Sequence, residues 1–127
     1  MGTSPSLPTV AFIGTGVMGH SMAGHLMTAG YPVIVFNRTP EKAADLVERG
    51  AKLAASAGEA SAEADVTISI VGYPADVEDV YLADDGIIAR ARTGATVIDM
   101  TTSTPTLALR IADVAAARGL FSLDAPV

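Results

Sequence analysis

Short β-branched runs alternate with helically spaced apolar residues along nearly the whole chain, and this alternation most constrains the fold. Residues 9–13 form a compact apolar run closed by Gly14, and residues 32–36 form a second one around Val33, Ile34 and Val35. Between them Met18, Met22, Leu26 and Ala29 recur at helical spacing, and Gly30 fits the left-handed stop that follows a helix. Further strands are predicted at 52–55, 66–71, 96–99 and 121–124. The near-continuous β-branching of 66–71 suits a strand covered on both faces. Thr39, Pro40 and Glu41 follow the order of an N-cap, a first-turn proline and a first-turn acid, so a helix is expected from there to Gly50. A Ser/Glu/Ala-rich helix should end near Ala64, another should cover 74–81 before the Asp84-Asp85-Gly86 turn, and Thr104-Pro105 should open a last helix that stops at Gly119. Residues 87–92 admit one more helical turn. Strand and helix in alternation imply one α/β domain, a doubly wound parallel sheet of about six strands with helices on both faces.

The chain has 127 residues, half of them hydrophobic and 17% charged, which suffices for one domain with a real core. Residues 1–8, with Gly2, Ser4, Pro5, Ser6 and Pro8, read as a flexible tail without a signal-peptide pattern, and 9–127 as the folded domain. A net charge of −6 argues against a nucleic-acid surface built on phosphate neutralisation. The lack of cysteine excludes a disulfide scaffold, thiolate catalysis and Cys-ligated metal. No stretch reaches the roughly 20 apolar residues of a membrane span, so a cytoplasmic protein without membrane partners is expected.

The strongest chemical signal is Gly14-Thr15-Gly16-Val17-Met18-Gly19, placed directly after the first strand and opening the first helix. In that context a G-x-G-x-x-G segment implies a dinucleotide site. Gly14 permits the tight turn, Gly16 removes a side chain where the pyrophosphate approaches, and Gly19 lets helix and strand pack closely. The N–H groups and positive end of the helix then hold the pyrophosphate. A glycine-rich turn that binds nothing is the bland alternative. No Gly-Lys-Ser/Thr ends the loop, so it is not a Walker loop.

An NAD site usually carries an acid at the end of the second strand, on the ribose hydroxyls. Here Asn37-Arg38-Thr39 stand there. Asn37 removes the repulsion a carboxylate would exert on a 2′-phosphate, and Arg38 supplies a planar cation suited to it. Thr39 can add a hydroxyl as well as cap its helix. The alternative is an Arg38 that is simply solvated. These residues favour NADP over NAD.

With these motifs together, the chain resembles the nucleotide-binding part of the β-hydroxyacid dehydrogenases. That family includes 3-hydroxyisobutyrate dehydrogenase, tartronate semialdehyde reductase, glyoxylate/succinic semialdehyde reductases and 6-phosphogluconate dehydrogenase. The likeness runs from Phe12-Ile13 and the glycine loop with Met18, through Met22, Ala23 and Leu26, to Asn37-Arg38-Thr39, Asp65-Val66, the segment from Asp84 to Ile87, 94–99 and the closing Asp124-Ala125-Pro126-Val127. It implies a Rossmann-type domain preceding an all-helical one, in an oxidoreductase that moves hydride between NADP(H) and a small β-hydroxyacid or its semialdehyde. It implies that Val71 and Gly72 lie against the adenosine side. Val71-Gly72-Tyr73-Pro74 departs there from the family's Leu-Pro pair, which leaves contacts at Tyr73 open. It also implies that Thr102 reaches the nicotinamide end, although a helix-cap neighbour is an equal reading. Asp124 would begin the substrate-binding segment.

The family's catalytic lysine lies further on, and neither Lys42 nor Lys52 stands at a strand end suited to replace it. No catalytic residue is therefore assigned within the chain, and no turnover is expected from it alone. A homo-oligomer is expected, because an exposed sheet edge favours self-association. A non-catalytic nucleotide-binding module and an imine-reductase-like domain remain as other readings. His20 and His25, five apart, lack the i, i+4 arrangement of a zinc helix, and His20 reads as solvated. The acidic pairs Glu78-Asp79 and Asp84-Asp85 read as a solvated helix face and turn. Asp99, at a strand end, reads as bonded to the loop that follows. No metal site and no Ser–His–Asp triad is indicated.

Overall fold

In the computed structural model, residues 7–14, 16–71, 74–100 and 104–124 are described, apart from the side chains at 17, 18, 74, 75 and 124. Strands β1 (Val10–Ile13), β2 (Val33–Phe36), β3 (Lys52–Leu53), β4 (Val66–Ser69), β5 (Thr96–Asp99) and β6 (Phe121–Asp124) pair in parallel in the order β3-β2-β1-β4-β5-β6. Six helices connect them: α1 (Val17–Thr28), α2 (Ala44–Glu48), α3 (Ala57–Ala62), α4 (Pro74–Leu82), α5 (Ile87–Arg90) and α6 (Pro105–Ala117). This is the Rossmann strand order, with the reversal between β1 and β4, and ligands in such sheets gather at the strands' carboxyl ends there.

Alternation along β1 explains the layering. Val10 and Phe12 point to one face and Ala11 and Ile13 to the other, and all four are buried. Val10 and Phe12 pack with Val33, Val35, Ala23, Ala43 and Leu46, beneath α1 and α2. Ala11 and Ile13 join the larger cluster with Val77, Tyr81, Ile87, Val97, Leu107 and Ile111, under α3 to α6. The α1–α2 face is covered less evenly. In register with Phe12 stand Ile68 and Ile98, both half-buried, and then Leu123, which is 59% exposed. Among the described residues β4 is therefore fully covered on the α3–α6 side only, which corrects the expectation of a strand buried on both faces.

Several boundaries differ from the sequence reading. The expected third strand shortens to two residues. β4 stops at Ser69, so Ile70 and Val71 leave the ladder, although the Ile70 N–H still bonds the Ile13 carbonyl at 2.9 Å. The segment 87–92 resolves into the single turn of α5. The helix expected after Thr39 begins as a 3-10 turn, Pro40–Ala43, before α2. The Thr39 side chain makes no capping bond there; its carbonyl instead accepts from the Lys42 N–H at 3.0 Å and from Asn37 Nδ2 at 2.7 Å. Ser56 and Thr104 do cap α3 and α6, their hydroxyls accepting from the N–H groups of Glu59 and Leu107.

Candidate functional site

At the carboxyl ends of β1, β2 and β4 lies a cavity of about 600 Å3, within the size range of small-molecule sites. Its walls come from Ile13, Gly14, Gly16 and Gly19, from Phe36 to Thr39 and Lys42, from Ile70 and Val71, and from Asp76, Asp79 and Val80 on α4. The three loop glycines are not equivalent there. Gly14 has φ +89°, a left-handed conformation, and a Cβ on it would lie 2.1 Å from the Ile70 carbonyl oxygen. A Cβ on Gly19 would lie 2.4 Å from the Gly14 carbonyl oxygen. These two let β1, α1 and β4 come together. A Cβ on Gly16 would meet nothing within 4 Å. Packing therefore does not require glycine at 16, and the missing side chain leaves open space beside the start of α1. Gly16 is the N-cap of this 12-residue helix, with no capping side chain and no acid in the first turn. A donor-rich, positive helix end facing clear space suits an anionic group, so the residues present fit a pyrophosphate.

Asn37, Arg38 and Thr39 border the cavity as the spacing implied. Arg38 is largely exposed, yet it is paired. Its Nη2 lies 3.0 Å from Asp76 Oδ1 and 3.8 Å from Asp79 Oδ2, so it reaches from the end of β2 to α4. Val71 also lines the cavity, and Val17 and Met18 open α1. Thr15, Gly72 and Thr102 lie outside the described residues. Asp124 ends β6 with its backbone in register with Asp99, and its side chain is not among those described.

The position of α4 is fixed by a buried polar cluster. The Tyr81 hydroxyl lies 2.7 Å from Ser69 Oγ, which also donates to Asp99 Oδ1 at 3.0 Å. The described bond to Asp99 thus comes from the neighbouring strand, β4, and the loop in which a partner was expected lies outside the described residues at 101–103. Lys42, Asp76 and Asp79 are cavity residues that the sequence reading missed. Lys42 follows Arg38 by four positions and the two acids are three apart, a helical-face spacing, yet only the topology brings them to one mouth.

Other charged residues stand in pairs at the surface, and the acids at 78, 79, 84 and 85 are exposed, in line with a solvated helix face and turn. His20 is paired with Asp45 across α1 and α2, and that bond holds the Asp45 carboxyl below its ordinary range. Glu78 pairs with Arg110 at 3.3 Å and Asp85 with Arg90 at 2.6 Å, so these acids are engaged. Asp85 is likewise lowered, first by the Ser56 hydroxyl and then by Arg90. Lys52 lies on β3, its Nζ 2.8 Å from Glu63 and outside the cavity walls. Among the described residues no group of three His, Asp or Glu side chains could hold a metal, and no helix is long and apolar enough to cross a membrane.

Residues 9–127 match the family described as the NAD binding domain of 6-phosphogluconate dehydrogenase. The chain belongs to this family. It is 53% identical over 119 residues to an uncharacterised oxidoreductase, YkwC, of Bacillus subtilis, covering 94% of this chain and 41% of that protein. The solved structure of Mycobacterium tuberculosis 3-hydroxyisobutyrate dehydrogenase with L-serine superposes with a TM-score of 0.86 at 36% identity, over 95% of this chain and 40% of that one. An imine reductase from Myxococcus stipitatus in complex with NADP+ gives 0.83 at 28% identity, over 92% and 40%. The chain thus spans about two fifths of the length of the relatives it matches. It is a nicotinamide-dinucleotide-binding Rossmann domain of an oxidoreductase family, similar to 3-hydroxyisobutyrate dehydrogenases.

Proposed function

We propose that residues 9–127 form the NADP(H)-binding unit of an oxidoreductase acting between a small β-hydroxyacid and its semialdehyde. Gly16 carries this reading: it is the one loop glycine whose missing Cβ leaves space facing the cavity instead of relieving a contact. Gly14, Thr15, Gly16, Val17, Met18 and Gly19 would hold the pyrophosphate. Asn37, Arg38 and Thr39, helped by Lys42 on the same wall, would hold the 2′-phosphate. Val71 and Gly72 would lie along the adenosine side, and Thr102 toward the nicotinamide. A bound nicotinamide supplies the hydride chemistry, and the chain's own residues bind and orient it. Asp124, at the end of β6, would open the path toward the substrate.

The preference for NADP rests on this chain's residues. The family description names NAD and the imine reductase holds NADP+, whereas here Arg38 lines the cavity where an NAD site places its acid. Titration with NADPH and NADH tests it: tighter NADPH binding that Arg38→Ala removes is expected, and an unchanged ratio in that variant would refute it. Neither lysine is placed to serve the substrate, since Lys42 sits at the β2 end and Lys52 is held by Glu63. The 127 residues alone should therefore show no turnover, and substrate-dependent NADPH oxidation by them would contradict this. In the whole protein, assaying a semialdehyde against a cyclic imine separates a β-hydroxyacid dehydrogenase from an imine-reductase-like activity.

A further inference from the structure

We infer that Asp76 and Asp79 are specificity-determining residues: their carboxylates limit how strongly this site favours a 2′-phosphorylated dinucleotide over its unphosphorylated counterpart. The inference rests on the 2′-phosphate reading of Arg38 and deepens it. Both acids project from one face of α4 onto the mouth that Arg38 and Lys42 border, so two cations face two carboxylates there. α4 is held in that place from behind by Tyr81 on Ser69. The acids' position is therefore a property of the fold and not of a wandering surface loop.

Two effects could act, and their sizes separate them. The first is competition for the guanidinium. Arg38 is 70% exposed, and breaking an ion pair of that kind changes an equilibrium by a factor of about five at most. The guanidinium also has five N–H donors, so it can keep Asp76 and still offer donors to a phosphate. The second is direct repulsion. Asp76 Oδ1 lies 3.0 Å from Nη2, and a phosphate oxygen bonded to the same guanidinium would be about 3 Å beyond, which places the two anions roughly 6 Å apart. A unit charge at that range changes the binding of a near-dianion by about three- to tenfold after salt screening. The Asp76 side chain is only 22% exposed, so its charge is less screened than that of Asp79, which is 69% exposed and further from Arg38. Repulsion is the larger effect and Asp76 the larger contributor.

The test is a titration of the chain and its variants with NADPH and NADH at low and high salt. Asp76→Asn should raise the NADPH:NADH affinity ratio about three- to tenfold, Asp79→Asn less, and the gain should shrink at high salt. Because the acid at 76 also sits in the first turn of α4, each variant's melting temperature is measured alongside. Asp79→Asn, more exposed, carries the test if Asp76→Asn does not fold. In the Arg38→Ala background the gain from Asp76→Asn should persist. A ratio unchanged in both Asn variants, or a gain that vanishes without Arg38, would overturn the inference. An Arg38→Ala variant with an unaltered ratio would overturn the 2′-phosphate reading beneath it, so the two failures are distinguishable.

Discussion

Phe12 and Leu123 occupy the same row of the sheet, three strands apart, yet Phe12 is wholly buried and Leu123 is 59% exposed. Both are large apolar residues on the face that α1 and α2 cover over β1 and β2. Beyond β4 that cover ends, and Ile98, Phe121 and Leu123 are progressively or largely open. β1 and β2, whose carboxyl ends lead into the glycine loop and Arg38, are thus covered on both faces. The β5–β6 half has its apolar pattern but a cover on only one face among the described residues. Local pattern writes the strands of both halves alike; coverage is what separates them.

The largest expected effect breaks the comparison at its two ends. Phe12→Ala should lower the unfolding free energy by about 3–5 kcal/mol, as buried aromatic truncations do, and Leu123→Ala by no more than about 0.5. Equal losses in chemical denaturation would mean that the two halves are buried alike in solution. Within the cavity, Gly14→Ala and Gly16→Ala should also part company. The first forces a side chain into a left-handed conformation against the Ile70 carbonyl and should cost about 2 kcal/mol or more. The second should leave stability nearly unchanged while weakening dinucleotide binding about tenfold, roughly 1.4 kcal/mol. Thermal melts and titrations of the pair read both quantities.

On the open half, a homo-oligomer is the proposed consequence. Phe121→Ser with Leu123→Ser should reduce concentration-dependent association in sedimentation without loss of fold; association that persists unaltered would place the contact elsewhere. The smallest effect is on pH. The native carboxyls of Asp45 and Asp85 are lowered, the first by His20 and the second by Ser56 and Arg90. Their contributions are therefore present above the ordinary carboxylate range and are lost as pH falls below it through the native values. Both groups are exposed, so screening keeps the effect slight. Side-chain NMR should find both titrating below ordinary aspartates, and ordinary titration would dissolve both pairings.

Much of the fold was legible because apolar periodicity and turn chemistry are local. Gly30, Gly50 and Gly119 end helices or turns with positive φ, and Thr104-Pro105 opens α6 as its order implies. The sequence also showed where the loop, Asn37 and Arg38 would lie. What it did not show depends on distant segments meeting. Asp76 is 38 positions from Arg38 and meets it only because α4 returns over the end of β2. Ser69, Tyr81 and Asp99 form one polar cluster from three elements, and His20 finds Asp45 across two helices. The uneven cover of β4 to β6 was equally hidden, since a half-covered strand and a fully covered one have the same β-branched pattern.

The central claim, that the carboxyl-end cavity of the covered half is the dinucleotide site, is tested most directly by backbone NMR during titration with NADPH. The account predicts saturable shifts at Gly14, Gly16, Arg38 and Val71, with Phe121 and Leu123 unmoved. Shifts centred on β6, or none at any of these residues, would contradict it.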